Sequence, residues 1–301
     1  MLRATTFHQS THLSEDQLLP ESGCPICGYA GARRPVILLQ DDPLVRLLAC
    51  RCGCISASRM PREEVLKDYY QGYYLDGGTT TFEGNGRFSR HLFRSLGVPP
   101  REAVRVLDFG GGVDAAISRS LASHFIRSGV RSVQIALVDY NASCARQWGR
   151  GITVECYRSL PEAAGGAFDV VLASAIVEHI QYPRDIILGL LGALTVGGRA
   201  YFRTPAVSSL IKLAARFGLG VDFTFPGHVH DMGQKFWDSA LATLGVSRTY
   251  RLVRSRPSIV ETGFRGHPAR TALAHALKWP WLVLGKRYSM VGGWEAVFAR
   301  V

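Results

Sequence analysis

The sequence VRVLDFGGGVD, residues 104–114, decides the fold of this chain. Its first part predicts a buried β-strand, because four of its six residues are apolar: Val104, Val106, Leu107 and Phe109. Three consecutive glycines follow. Glycine tolerates backbone angles and close approaches that a Cβ atom forbids, so the backbone here is expected to fold against a ligand. A helical pattern comes next, and strand, glycine turn and helix in this order predict the ligand-binding start of a doubly wound α/β sheet.

The acidic residues of this stretch indicate the kind of ligand. Gly110, Gly112 and Ala115 fit the G-x-G-x-x-A pattern of dinucleotide-binding proteins, so a nicotinamide or flavin enzyme is one alternative. A diphosphate, however, needs the positive end of a helix, and the carboxylates of Asp108 and Asp114 would repel it. The same carboxylates would attract a cation. S-adenosylmethionine carries a sulfonium and an ammonium group, and it therefore suits this turn better.

The stretch VLDFGGGVD resembles the first motif of the class I S-adenosylmethionine-dependent methyltransferases, D-x-G-x-G-x-G. Asp108, Gly110 and Gly112 match this motif, and Asp114 stands where the third glycine is expected. The resemblance implies that Asp108 and the glycines, including Gly111, bind the cofactor. We expect Asp114 to cap the first turn of the following helix.

The second strand of the pattern also ends in an acidic residue. Residues 133–139, VQIALVD, are apolar up to Asp139, as a buried parallel strand should be. A carboxylate at the end of this strand can accept hydrogen bonds from the ribose hydroxyls of an adenosine. We therefore assign Asp139 and the adjacent Tyr140 to the cofactor site.

A second motif begins at Phe168 with FDVVLASAIVEHI, which resembles the fourth-strand motif of the same family. Ala173 and Ser174 lie at the carboxyl end of this strand, where a doubly wound sheet binds its ligand, and their backbone would face the methionine moiety. Glu178 and His179 follow. A histidine suits general-base catalysis, so His179 is a catalytic candidate, with a purely structural role for the pair as the alternative.

The order of elements supports the same fold. Five strand-helix units lie between residues 104 and 204, and VGGWEAVFARV at the end of the chain predicts an antiparallel last strand. We therefore predict an α/β, doubly wound, mostly parallel seven-stranded sheet over residues 98–301, with insertions at 206–233 and 254–290.

The first insertion holds the other catalytic candidates. Its sequence FTFPGHVHDMG, residues 223–233, contains His228, His230 and Asp231, which could supply a base and its orienting group. They could also bind a metal with Glu178 or His179, or simply cap the next helix. Earlier in this insertion, an amphipathic helix could form a lid, contact an anionic membrane, or pack in the core.

The amino-terminal part carries a cluster of five cysteines between positions 24 and 54. Cys24 and Cys27 form one pair with the spacing of zinc ligands. Cys50, Cys52 and Cys54 compete for the second pair. We favour Cys50 and Cys52, because a glycine then follows the second cysteine of both pairs; Cys50 with Cys54 is the alternative. Residues 21–60 thus resemble a small zinc ribbon with a structural Zn²⁺, after a flexible lead-in at 1–20 and before a connecting helical segment at 61–97.

Composition limits the partners. The net charge is +11, and the amino terminus lacks the apolar core of a signal peptide, so a cytoplasmic protein without stable membrane insertion is expected, although peripheral membrane contact remains open. We expect a small-molecule acceptor, for instance a sugar or a lipid-linked glycan precursor. RNA methylation is the alternative, because ribbon and positive charge also resemble some ribosomal RNA methyltransferases. A non-catalytic binding module and an NAD-dependent enzyme are the remaining alternatives.

Overall fold

The computed structural model describes residues 11–75, 85–98, 101–112, 114–139, 148–163 and 166–301. The chain first forms a small antiparallel sheet from strands β1 (Arg34–Gln40), β2 (Val45–Ala49) and β3 (Ile55–Ala57). Alternation in β2 explains this sheet, because Val45 and Leu47 are fully buried while Arg46 between them is exposed. Cys50 and Cys52 lie in the turn between β2 and β3, and Cys24 and Cys27 lie close to them.

Two helices connect the ribbon to the large sheet. They are α1 (Glu63–Leu75) and α2 (Asn85–Leu96). In α2, Phe88, Leu92 and Leu96 are spaced four residues apart and all are buried, so this helix packs along one apolar face. The helix therefore covers one face of the large sheet. On the other face, Ile26 of the ribbon packs in the same apolar cluster as Trp237.

The large sheet has seven strands. The remaining strands of the described residues are β4 (Ala103–Phe109), β5 (Ser132–Val138), β6 (Ile152–Tyr157), β7 (Phe168–Ser174), β8 (Leu194–Ala206), β9 (His230–Asp231), β10 (Tyr250–Pro257) and β11 (Gly292–Arg300). All of these except β9 belong to the large sheet. The order in the large sheet is β10-β11-β8-β7-β4-β5-β6, and β4 to β8 are parallel. The strand β11 runs antiparallel between β8 and β10. This topology confirms the predicted doubly wound, mostly parallel seven-stranded sheet.

Helices cover both faces of this sheet. Among the helices not yet named, α3 (Ala116–Arg127) packs on one face, and α4 (Leu160–Ala163), α5 (Pro183–Gly192) and α7 (Gln234–Leu244) pack on the other. The other three helices are α6 (Ser208–Arg216), α8 (Pro268–Lys278) and α9 (Trp281–Leu284). Successive residues of β7 face opposite cores: Leu172 packs in the cluster that holds Phe125 of α3, and Val171 in the cluster that holds Trp237 of α7. Because β7 is covered on both faces, Phe168 and residues 170–173 are all apolar and buried.

The ribbon sheet receives its fourth strand from far along the chain. In β9, Asp231 pairs with Ile55 and His230 pairs with Ser56, antiparallel to β3. The end of the predicted insertion at 206–233 therefore completes the sheet of the predicted unit at 21–60. Ile211 of α6 is buried in the apolar cluster of the ribbon, so this helix packs in a core.

The start of α3 differs from the prediction. The N-cap position is Ala115, which has a left-handed backbone with φ of 51°, and no side chain caps the helix there. Asp114 instead pairs with Arg119 at 3.3 Å, and its side chain is 56% exposed. The predicted capping role of Asp114 is therefore wrong, because the turn places the cap one residue later than the polar side chain. No helix among the described residues is long and apolar enough to cross a membrane.

Candidate functional site

The glycine turn lies at the carboxyl edge of the parallel strands, directly after β4. Gly110 and Gly112 have positive φ angles of 73° and 78°, which an L side chain rarely adopts. A Cβ atom on Gly110 would also lie 2.6 Å from Cγ1 of Ile176, a residue that follows β7. The backbone N–H of Gly110 donates to the carbonyl of Val138 at 2.9 Å. The turn is thus fixed against both neighbouring strands.

Asp108 lies beneath this turn and is buried. A Cβ atom on Gly111 would collide with its carboxylate, so that glycine is needed for the acid to sit there. The oxygen Oδ2 of Asp108 has no hydrogen-bond partner among the described residues. Burial, and then the charge of Asp139, raise the pKa of Asp108 to about 6, although a hydrogen bond from Ser118 opposes the shift. A buried carboxylate in this state would gain from a cation placed nearby.

Asp139 stands at the end of the neighbouring strand β5. Its oxygen Oδ2 accepts the backbone N–H of Gly112 at 3.0 Å, so this carboxylate holds the glycine turn and the tip of β5 together. Asp139 is half-buried at this edge. Tyr140, the other residue predicted at this position, lies outside the described residues.

The end of β7 forms the other wall of the edge. Ala173 is fully buried, and the Ser174 hydroxyl accepts a hydrogen bond from Nε of Arg203 at 2.9 Å. Arg203, on the adjacent strand β8, is buried and forms an ion pair with Glu261. The next residue, Ala175, has a left-handed backbone with φ of 57°, and such strain is common at functional sites.

A cluster of polar residues follows directly. Nδ1 of His179 lies 2.7 Å from the hydroxyl of Tyr70 and 2.7 Å from the carbonyl of Gly227. A carbonyl only accepts, so we assign the proton of neutral His179 to Nδ1, which leaves Nε2 as the basic atom. The Tyr70 hydroxyl also donates to the Gly227 carbonyl, at 2.9 Å. These bonds fix the orientation of the imidazole from two sides.

Glu178 and His228 complete this cluster. Glu178 is buried, its Oε2 has no hydrogen-bond partner among the described residues, and burial raises its pKa to about 8. The rings of His179 and His228 lie 4.8 Å apart, and Nδ1 of His228 lies 2.5 Å from the hydroxyl of Thr224. Ligand atoms of Glu178, His179 and His228 all lie within 4.8 Å of one another, so the cluster could also hold a cation.

His230 and Asp231 have other surroundings. His230 is fully buried, with Nδ1 at 3.0 Å from the Ser56 hydroxyl and Nε2 at 2.7 Å from the Ile180 carbonyl. Burial lowers the pKa of His230 to about 4, so it is neutral. Both oxygens of Asp231 accept backbone N–H groups at the start of α6, at 2.8 to 2.9 Å. A base needs a ring nitrogen without such a partner, so we leave His230 out of the mechanism.

Four cysteines of the ribbon converge, and they are the four that the sequence favoured. The sulfurs of Cys24 and Cys52 are 3.7 Å apart and those of Cys27 and Cys50 are 3.5 Å apart. Four sulfurs at about 2.3 Å from one ion form a tetrahedron with edges of about 3.8 Å, so the set fits Zn²⁺. The thiol of Cys54 lies outside this set, 3.2 Å from the Ser56 hydroxyl.

Two residues of the site were not predicted from the sequence. Tyr70 is one of four tyrosines between residues 69 and 74, and its partner Gly227 is too distant in sequence to be inferred. Arg203 was missed. One signal was available, because Arg203 interrupts the apolar strand AYFRTP, residues 200–205, and a charge inside a buried strand needs a partner.

The strand order, the glycine turn and the acidic strand ends together define a class I methyltransferase fold. The family model described as a methyltransferase domain matches residues 82–251, more than half of the chain. The chain belongs to this family, which confirms the resemblance stated from the sequence. No curated protein sequence matches the chain.

Solved structures with a similar fold include other methyltransferases. One is the N-methyltransferase NodS from Bradyrhizobium japonicum WM9 in complex with S-adenosyl-L-homocysteine, with 13% identity and a TM-score of 0.41, covering 72% of this chain and 88% of that one. Another is an S-adenosylmethionine-dependent methyltransferase from Mesorhizobium loti, with 15% identity and a TM-score of 0.41, covering 70% of this chain and 96% of that one.

Proposed function

We propose that this protein transfers a methyl group from S-adenosylmethionine to a small-molecule acceptor. The observation that carries the proposal is the pair of carboxylates at adjacent strand ends. Asp108 is buried with one oxygen unpartnered among the described residues, and Asp139 is hydrogen-bonded to the glycine turn. Asp108 beneath this turn favours a cationic ligand and disfavours the diphosphate of a nicotinamide cofactor. Asp139 fits the ribose of an adenosine, which both kinds of cofactor contain.

The residues of this edge fit the cofactor. Asp139 would accept the ribose hydroxyls, and the backbone of the three glycines would lie against the cofactor, since no side chain intervenes there. The backbone of Ala173 and Ser174 would face the methionine moiety. When bound, S-adenosylmethionine supplies an electrophilic methyl group on its sulfonium.

His179 is the proposed general base. Its Nδ1–H is held by the Gly227 carbonyl, so Nε2 would receive the proton that the acceptor loses. Tyr70 and His228 fix the imidazole from two directions, and this orientation contributes to the rate by alignment. Glu178 stays protonated and neutral near pH 7 because of its raised pKa, so it does not compete for that proton.

The proposed acceptor is a small hydroxylated molecule, such as a sugar or a lipid-linked glycan precursor. The side chain of His179 is only 13% exposed, which suits a narrow pocket better than an open groove for a duplex. RNA is the second candidate, and the net charge of +11 is the observation that favours it.

A structural Zn²⁺ on Cys24, Cys27, Cys50 and Cys52 is part of the proposal. Four thiolates leave no open position on the ion, so its contribution would be to stability. Zinc would fix the two turns that carry the cysteines, and these turns pack against the large domain: the hydroxyl of Ser239 in α7 donates to the Cys52 carbonyl at 3.1 Å.

The experiment is a tritiated-methyl transfer assay against RNA, lipid and small-molecule fractions of a cell extract, with His179→Ala compared with wild type. We expect label in the small-molecule or lipid fraction, and a loss of about 10²- to 10⁴-fold in turnover for the variant with cofactor affinity unchanged. His12→Ala, which removes an exposed histidine, serves as the control.

Three outcomes would overturn parts of the proposal. Label in RNA, with binding that weakens steeply as salt rises, would favour the second candidate. Cofactor binding without transfer to any fraction would indicate a binding module. Binding of NADH in place of S-adenosylmethionine would replace the cofactor.

A further inference from the structure

Helices α8 and α9 carry an unusual concentration of exposed apolar side chains. Fifteen large apolar side chains of the described residues are exposed, and six of them lie within residues 264–284. We call these six the apolar patch: Phe264, Leu273, Trp279, Leu282, Val283 and Leu284. Leu282 and Val283 are each 73% exposed, and Trp279 is 64% exposed. Single exposed apolar residues need no explanation, but a group of this size marks an interaction surface.

The outward face of α8 continues the patch. Ala269, Ala272, Leu273 and Ala276 are all exposed and follow the i, i+3, i+4, i+7 spacing of one helix face. A helix that faces water normally presents polar residues at these positions. The apolar face of α8 therefore points toward solvent and away from the rest of the protein.

These helices are anchored, so the exposure is not caused by fraying. The Thr271 side chain is fully buried and donates to the Thr262 hydroxyl at 2.8 Å. In α9 the ring of Trp281 packs edge-on against Trp294 of β11, with centroids 6.0 Å apart. Trp281 thus holds the short helix down while the three residues after it point outward.

The positive charge of the segment that carries the apolar patch indicates an anionic partner. Residues 262–294 contain five lysines and arginines and no aspartate or glutamate. Arg265, Arg270 and Arg287 are exposed, whereas Lys286 pairs with Asp238 and Lys278 points inward to Ser258. Exposed apolar residues fringed by arginine match the interface of an anionic bilayer, where apolar side chains enter the acyl boundary and cations meet phosphate. A second copy of this chain would bring like charges together.

The segment that carries the apolar patch leaves the large sheet at the same edge as the proposed cofactor site. The strands β10 and β8 both run antiparallel to β11, so they point the same way, and the segment after β10 leaves the sheet at the carboxyl edge. A cleft of about 390 Å³, lined among others by Val260, Trp279, Trp281 and Leu282, lies at the base of the patch. This cleft could admit part of a hydrocarbon chain.

We propose that the apolar patch docks this protein peripherally on an anionic lipid surface, with Trp279, Leu282 and Val283 inserted and the arginines facing the headgroups. The proposal does not depend on the methyl acceptor. It commits to a lipid surface, and self-association is an outcome of its test.

The test is flotation of the full chain with vesicles of phosphatidylcholine alone or mixed with phosphatidylglycerol. We expect binding only to the anionic vesicles, a blue shift of tryptophan fluorescence, and weakening by salt. The double variant Leu282→Asp and Val283→Asp should bind at least about tenfold more weakly, since two apolar side chains would no longer be removed from water. Replacing Arg265, Arg270 and Arg287 by glutamine should weaken binding to the anionic vesicles.

The matched control is Val196→Asp, because Val196 is 69% exposed and lies near the start of β8, at the opposite edge of the sheet. Binding that Val196→Asp weakens as much as the double variant would overturn the proposal. So would absence of vesicle binding by the wild type, or a dimer in light scattering that only the double variant loses. Unfolding curves of each variant exclude misfolding as the cause.

Discussion

The backbone N–H of Gly112 donates to Oδ2 of Asp139 at 3.0 Å, so a carboxylate at the tip of β5 holds the turn that follows β4. The two residues are 27 positions apart in sequence and belong to different strand-helix units. Asp139 would therefore have two tasks in the proposed site, because it shapes the turn and would also accept the ribose hydroxyls of the adenosine.

Asp139→Ala should weaken the binding of S-adenosylhomocysteine by about 10- to 100-fold, since charge-assisted hydrogen bonds of about 1.5–3 kcal/mol would be lost. Titration calorimetry measures the change. Asp114→Ala is the control, because Asp114 is a second acid of the same turn that is 56% exposed and pairs with Arg119. Equal effects of the two substitutions would remove Asp139 from the site.

Gly110→Ala should be more damaging than Gly112→Ala. Both residues have positive φ, so each alanine costs about 1–2 kcal/mol of backbone strain. Only at Gly110 does a new Cβ meet Ile176, whereas nothing lies within 4 Å of one at Gly112. Thermal unfolding of the two variants in the unliganded state measures the difference. Matching melting temperatures would show that Ile176 yields and that the close packing of the turn is not needed.

Cys24→Ser should lower the zinc content of the purified protein and destabilise it by several kcal/mol, because metal binding stabilises the folded ribbon. Cys54→Ser should retain the zinc, since Cys54 is outside the four-sulfur set and a hydroxyl can replace its contact with Ser56. Elemental analysis and urea unfolding give both quantities. Loss of metal in the second variant would instead place Cys54 among the ligands.

Glu178→Gln should remove a pH dependence of stability. Burial raises the pKa of Glu178 from its ordinary 4.5 to about 8. Between these two values the unfolded chain releases the proton while the folded chain keeps it, so wild-type stability falls as pH rises through this window. Glutamine cannot ionise, and the variant should gain up to a few kcal/mol over wild type by pH 8. Urea unfolding at several pH values checks this.

The control for Glu178→Gln is Glu63→Gln, because Glu63 is exposed at the start of α1. The stability difference between Glu178→Gln and wild type should grow with pH, and that of the control should stay constant. A constant difference for both would mean that Glu178 ionises normally in the folded protein.

Local patterns predicted the large sheet well. The strand β5 (Ser132–Val138) lies within one residue of the predicted 133–139, and β7 begins at Phe168 as predicted, because both are apolar segments with clear ends. The choice of Cys50 and Cys52 was also local, since Gly28 and Gly53 follow their cysteines and both adopt positive φ. These features depend on residues that are close in sequence.

Features that depend on distant residues were not predictable. The helix begins after Ala115 because that residue adopts a left-handed backbone, and an alanine in the sequence does not predict this conformation. The pairing of Ser56 with His230 joins residues 174 positions apart, so the sequence does not show that His230 is buried and hydrogen-bonded to the ribbon. The contact of Tyr70 with His179 is of the same kind. The sequence alone therefore did not show which of these histidines lie together.

Because β9 pairs with β3, the ribbon and the segment that follows the large sheet's strand β8 depend on each other for their structure. Removing residues 11–60 would remove the strand β3, with which His230 and Asp231 pair. These two residues in turn fix the start of α6 and the loop beside His179. We therefore expect that the large sheet does not fold stably without the ribbon, and that heating melts both sheets in one cooperative calorimetric peak. The ribbon thus supports the loop that carries His179, and it is not an independent folding unit.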